Sequence, residues 1–230
     1  MLVLLSACSS SAQHSAATTA GTTPPTTLPA STTDASSATS TASTTSTVEP
    51  TTTEPRPVQH VVPVLDAASV GFSDTHHDYP ATDIFHPDNC GTPIVSPVDG
   101  VVLELRRTDP WDPALDDPAT RGGLFVSILG DDGVRYYLAH LSALDDGLEA
   151  GTRLAAGDPV GLMGDTGKAG ACHLHLGISP PCPTDDWWVR RGVVWPYPYL
   201  RDWLAGGNAS PAEEVSRWVA DHPGACDAAP

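Results

Sequence analysis

His173-Leu174-His175 sets two imidazoles two residues apart in an apolar run. In an extended strand alternate side chains share a face, so both rings can look into one groove. A second cluster lies upstream, His76-His77-Asp78-Tyr79-Pro80-Ala81-Thr82-Asp83. Two histidines and a carboxylate on a metal, with the fourth position left to water, describe a hydrolytic zinc centre rather than a closed structural one. A lone His-x-His is a weak signal in a chain with nine histidines. Its meaning depends on the elements around it and on the order of the other motifs.

The elements that would position these side chains begin after Pro57. Short β-prone runs at 61–65, 81–85, 92–95, 100–105, 124–129 and 134–140 are punctuated by Gly, Pro and Asp, which predicts an antiparallel all-β architecture. Asp131-Asp132-Gly133 reads as a hairpin turn, because glycine adopts positive φ without steric cost. The segment 106–123 is a long loop whose carboxylates lack the alternation of an EF-hand, so it reads as surface rather than a calcium site. Gly161, Gly164 and Gly167 suit tight turns and close approach of an extended peptide. No helical period emerges until the end. There Ser210 is placed to cap a short helix, with Pro211 at its first position and Glu213 completing a capping box. The expected fold class is mainly β: a compact antiparallel sheet or sandwich with a groove, a short C-terminal helix, and a disordered tether in front.

That tether is residues 9–57, almost entirely Ser, Thr, Ala and Pro. Such a composition cannot bury enough apolar surface to offset its chain entropy. The expected organisation is a partial lipoprotein signal at 1–8, the tether at 9–57, a folded domain at 58–205 and a helical tail at 206–230. Leu5-Ser6-Ala7-Cys8 resembles a bacterial lipobox, which makes Cys8 a candidate for lipid attachment. No Lys or Arg precedes it, so the true start lies upstream or the segment is a remnant. The expected location is exported, in the cell envelope, lipid-anchored. A net charge of −17 with few charges in the tether leaves the folded part acidic, which disfavours nucleic acid and anionic lipid as partners. Cys90, Cys172, Cys182 and Cys226 remain, an even number in an apparently exported chain, and they allow three pairings. Cys90 follows the Asp83 run and Cys172 abuts His173, so a Cys90–Cys172 bridge would clamp the site and Cys182–Cys226 would tie down the tail.

Ordered blocks from about His76 to Ser179 resemble the LytM/lysostaphin-type zinc endopeptidases, which hydrolyse peptide bonds of bacterial peptidoglycan. The blocks are the His76/His77 to Asp83 cluster, Gly91-Thr92-Pro93-Ile94-Val95-Ser96-Pro97 with Asp99-Gly100-Val101-Val102, Tyr137-Leu138-Ala139-His140-Leu141-Ser142, and the glycine run leading into Cys172-His173-Leu174-His175. The resemblance implies an antiparallel sheet with a groove, Asp83 and His175 as ligands of Zn2+, and His140 and His173 as the catalytic pair. It departs at the first ligand. The family spacing His-x-x-x-Asp would place Tyr79 there, so His76 or His77 must reach in from a longer loop, with His76 favoured. On that basis His173 is the general base and His140 stabilises the oxyanion, with the two roles open to exchange. The implied partner is a peptidoglycan peptide and the implied state a monomer. An alternative is a catalytically inactive relative that binds peptidoglycan or activates another hydrolase.

Overall fold

β-branched and aromatic runs between Gly and Asp turns fold as an antiparallel sheet in the computed structural model, which describes residues 56–183 and 186–227. The lipobox with Cys8, and the tether up to residue 55, lie outside the described residues. Nine strands occur among the described residues: β1 (Gly71–Phe72), β2 (Thr82–Phe85), β3 (Pro93–Val95), β4 (Gly100–Arg106), β5 (Leu124–Gly130), β6 (Arg135–Leu144), β7 (Arg153–Leu154), β8 (Pro159–Met163) and β9 (Leu174–Ser179). Their lateral order is β1-β2-β9-β6-β5-β4-β7, with β8 pairing both β3 and β6. All pairings are antiparallel. The run at 61–65 forms no strand and contributes one bridge, Val64 to Ile94.

Alternation along the central strands separates two faces. Leu174, Leu176 and Ile178 of β9 join Ile84, Ile128, Tyr136 and Leu138 in the main core, all essentially solvent-free. The opposite side chains, Asp83, Tyr137, Ala139 and His175, are left on the groove face, as the period of two requires. Register then sets chemistry: Asp83 of β2 pairs with His175 of β9, and His175 pairs with Ala139 of β6.

Three helices follow the sheet: α1 (Trp187–Arg190), α2 (Tyr197–Leu204) and α3 (Ala212–Asp221). The first two depart from the expectation of no helix before the end. Pro196 and Pro198 in Trp195-Pro196-Tyr197-Pro198 read as breakers, yet they flank the first helical residue of α2, where a missing N–H costs nothing. α3 confirms the expected C-terminal helix, although its N-cap position is Pro211 with no side-chain cap. The Ser210 hydroxyl still accepts from Ala212 N at 3.2 Å while donating to Asp132 at 2.7 Å, and Glu214 rather than Glu213 is engaged, by the Tyr199 hydroxyl. Leu200, Trp203 and Val215 sit in the same core as the strands, so the helices are packed onto the sheet. Among the described residues no helix is long and apolar enough to cross a membrane.

Cys90–Cys172 and Cys182–Cys226 are disulfide-bonded, with Cα separations of 5.2 and 5.5 Å. The first closes a loop of 82 residues that contains much of the sheet and ends one residue before His173. Replacing both Cys90 and Cys172 with serine is expected to destabilise the fold by about 2–4 kcal/mol through a less restricted unfolded chain. Urea unfolding measures this, and an unchanged midpoint would show that the bridge constrains nothing the sheet does not already hold.

Candidate functional site

Three donor atoms converge where β2 and β9 meet the 76–81 loop. An imidazole nitrogen of His76, a carboxylate oxygen of Asp83 and an imidazole nitrogen of His175 lie within 4.8 Å of one another. Asp83 Oδ1 is 3.6 Å from His76 Nε2 and 3.2 Å from His175 Nδ1. Ligands held tetrahedrally at zinc's usual 2.0–2.1 Å stand about 3.4 Å apart, so these separations suit a zinc-sized ion. His77, the other candidate for the first ligand, is exposed and packs edge-on against His76 with ring centroids 4.7 Å apart, outside the trio. Tyr79 is not a member either; its ring lies 4.5 Å from that of His76 and under the Arg191 guanidinium.

His173 Nε2 approaches Asp83 Oδ1 at 3.5 Å from another side, and the rings of His140 and His173 are 4.7 Å apart. The structure thus brings together all the predicted site residues except His77. His173 stands just ahead of β9, bridged to Gly164, so the glycine run supports it directly. His140 reaches the groove by a different device. Strict alternation after Tyr137 and Ala139 would turn it towards the core. A bulge opposite Leu124 and Phe125 inserts it as an extra residue with φ 64°, and Leu141 resumes the core face. A left-handed backbone at a non-glycine residue is costly and is found where function needs a side chain re-aimed.

The proton positions follow from the partners, because a carbonyl can only accept. His76 Nδ1 donates to Tyr79 O at 3.3 Å, His140 Nδ1 to Thr166 O at 2.8 Å, His173 Nδ1 to Ala171 O at 2.7 Å and His175 Nε2 to Arg191 O at 2.9 Å. Each ring therefore turns its other nitrogen inwards. Three of those nitrogens face one carboxylate oxygen, a donor set of the kind that holds a metal cation. The residues present fit a zinc ion on that ground. Gly177 makes the Arg191 contact reachable: a Cβ there would stand 2.5 Å from the Arg191 carbonyl oxygen.

Burial, reinforced by the His175 charge, holds His76 down to about 4; burial with His175 and His173 brings His140 to about 3. Burial raises the Asp83 carboxyl, but His175, His173 and His76 together outweigh it and bring it to about 2. Unfolded histidine titrates near pH 6.5 and aspartate near 3.9. As pH falls from about 6.5, the unfolded chain takes up protons that folded His76 and His140 refuse, and below about 4 Asp83 adds the same sign. The metal-free protein is therefore expected to lose stability steadily from about pH 6.5 to 3. A urea midpoint that stays constant across that interval would contradict the packing described.

The loop 106–123 forms a wall beside these residues. Asp109 accepts from Gly167 N at 2.8 Å, Asp116 receives Lys168 at 3.0 Å, and Gly122 O accepts from His140 N at 2.9 Å. Behind that wall is a cavity of about 150 Å³ lined by His140, His175, Tyr137, Tyr79 and several cationic side chains.

Residues 78–184 match the model of peptidase family M23. The matched span holds Asp83, His140, His173 and His175 and begins two residues after His76. No curated protein matches the chain in sequence. Among solved structures, the chain is similar to the catalytic domain of the antimicrobial peptidase lysostaphin from Staphylococcus simulans, at 22% identity and TM-score 0.47, covering 62% of this chain and 99% of that one. A structure assigned as the glycyl-glycine endopeptidase LytM from Ruminococcus gnavus is 27% identical, with TM-score 0.48, 65% of this chain covered and 62% of that one. A zinc-containing peptidase from Vibrio cholerae is 23% identical, with TM-score 0.41, 59% of this chain covered and 38% of that one.

Sequence reasoning missed the carbonyls of Tyr79, Thr166, Ala171 and Arg191, which no residue type announces. It also passed over Arg190-Arg191, although paired cations in so acidic a chain were a signal.

Proposed function

We propose that this protein is a zinc-dependent endopeptidase that cleaves peptide bonds of bacterial peptidoglycan. The observation that carries the reading is the convergence of four fixed imidazole nitrogens around the Asp83 groove, beside and within the span that matches peptidase family M23. His76, Asp83 and His175 would hold the ion. Bound there, zinc supplies a Lewis acid that polarises a carbonyl and acidifies water.

The remaining chemistry belongs to the chain's own groups. His173 Nε2 takes a proton from the attacking water, with the Asp83 carboxylate 3.5 Å away. As the water oxygen bonds to the scissile carbon and the C–N bond breaks, the same Nε2–H passes its proton to the leaving amine. His140 is shielded from protonation, and with Nδ1–H spent on Thr166 it offers an acceptor rather than a donor. We therefore assign it to orient the water by accepting its second hydrogen, in place of the oxyanion role the sequence suggested. The peptidoglycan substrate is supported by the ordered motif set.

Residues 9–57 are proposed as a tether and Cys8 as its anchor, which would keep the domain near the wall. Purified peptidoglycan should lose turbidity with the zinc-loaded protein, stop doing so on chelation, and resume when zinc is restored. Clearing that persists in excess chelator would exclude the mechanism.

A further inference from the structure

The cavity beside the trio has a charge unlike the rest of the molecule. Four of the chain's eleven lysines and arginines line it, Arg121, Lys168, Arg190 and Arg191, against one carboxylate among the described residues, Asp78. The chain as a whole carries −17. Three of the four cations already have carboxylate partners: Arg121 and Lys168 share Asp116, and Arg190 pairs with Glu104 at 3.0 Å. Arg191 has none among the described residues.

Arg191 is nonetheless held in place. Its guanidinium carbon is 4.0 Å from the centroid of Tyr79 and 5.4 Å from that of Trp187. Aromatic faces fix a guanidinium without consuming its N–H groups. Its Nε is buried and has no hydrogen-bond partner among the described residues. That nitrogen is closed off from the cavity, so what Arg191 offers to the cavity it lines is the terminal NH2 pair of a fixed planar fork, which matches a carboxylate bidentately. The Arg191 carbonyl also grips His175, so the fork belongs to the residue that orients a candidate ligand. The cavity's volume of about 150 Å³ is roughly ten times what one water needs, enough for a side chain or a chain terminus.

Resting on the peptidase reading above, we propose that Arg191 is a specificity-determining residue that receives a carboxylate of the peptide next to the scissile bond. The favoured substrates are then anionic stem peptides rather than uncharged bridges. The carboxylate comes from an acidic side chain or from a free C-terminus, and both present the same two oxygens.

The test is isothermal titration of the zinc-loaded full chain bearing His173→Ala, so that the peptide survives. The probes are a stem tetrapeptide with free carboxylates and the same peptide with every carboxylate amidated. The acid form is expected to bind about tenfold tighter or more, in the range of a charge-assisted bidentate contact. Adding Arg191→Met should bring the ratio to about one at unchanged zinc content, and Arg191→Lys, which keeps the charge without the fork, should leave an intermediate ratio. Peptides amidated at a single carboxylate tell side chain from terminus. A ratio near one with Arg191 present, or a full ratio retained in either variant, overturns the assignment. An Arg191-dependent preference in a protein that cleaves no peptidoglycan would uphold the recess and sink the peptidase reading. Equal kcat/KM for acid and amide peptides with His173 intact would do the reverse.

Discussion

Replacing His140 or His173 with alanine is expected to lower turnover of peptidoglycan peptides by about a hundredfold to ten-thousandfold while zinc stays bound, the range of a lost proton-transfer group. Neither ring belongs to the mutually close trio of donors, so neither removal opens the metal position. Each has Nδ1 tied to a backbone carbonyl, Thr166 for His140 and Ala171 for His173, and each leaves Nε2 to the groove. The two losses should be strongly non-additive, because both rings act on one water. Steady-state kinetics with metal analysis of the same samples checks this. If His173→Ala emptied the site while His175→Ala left it filled, the ligand and base would have been assigned in reverse.

Asp83→Ala should remove both metal and activity. Its Oδ1 is the atom that His76, His173 and His175 all approach, at 3.6, 3.5 and 3.2 Å. Without that anion three imidazole nitrogens face one another, and the site loses its negative charge as well as one ligand. Altering a group that merely orients a ligand weakens metal binding by about 10–100-fold, so deleting the ligand should exceed that range. His77→Ala, on the exposed side of His76, should keep zinc within about twofold, in line with the small effects usual for surface substitutions. Equal zinc loss in Asp83→Ala and His77→Ala would place the ion elsewhere.

The groove face was legible where alternation governs it. His173 and His175 two residues apart, Asp83 on a neighbouring short strand, and Cys90 and Cys172 beside them all have the juxtaposition their spacing suggested. The choice between His76 and His77 was not legible, because adjacent residues in an irregular loop share no period. His140 was named through family resemblance alone; by alternation it belongs in the core, and only the bulge with its left-handed backbone brings it out. Helix α2 escaped notice because prolines at a helix start look like prolines in a turn. The backbone carbonyls that fix four tautomers are illegible in principle, since every residue carries one. What the sequence offered there was indirect, such as Gly177, whose lack of a Cβ admits the Arg191 backbone.

The most direct test is mass spectrometry of the fragments released from purified peptidoglycan by the zinc-loaded protein, beside the His173→Ala and Asp83→Ala proteins. The account predicts fragments with one new amino terminus and one new carboxyl terminus, a water added across a peptide bond, and almost none from either variant. An intact, zinc-loaded protein that binds peptidoglycan yet releases nothing, or that releases fragments cut in the sugar chains, would contradict it.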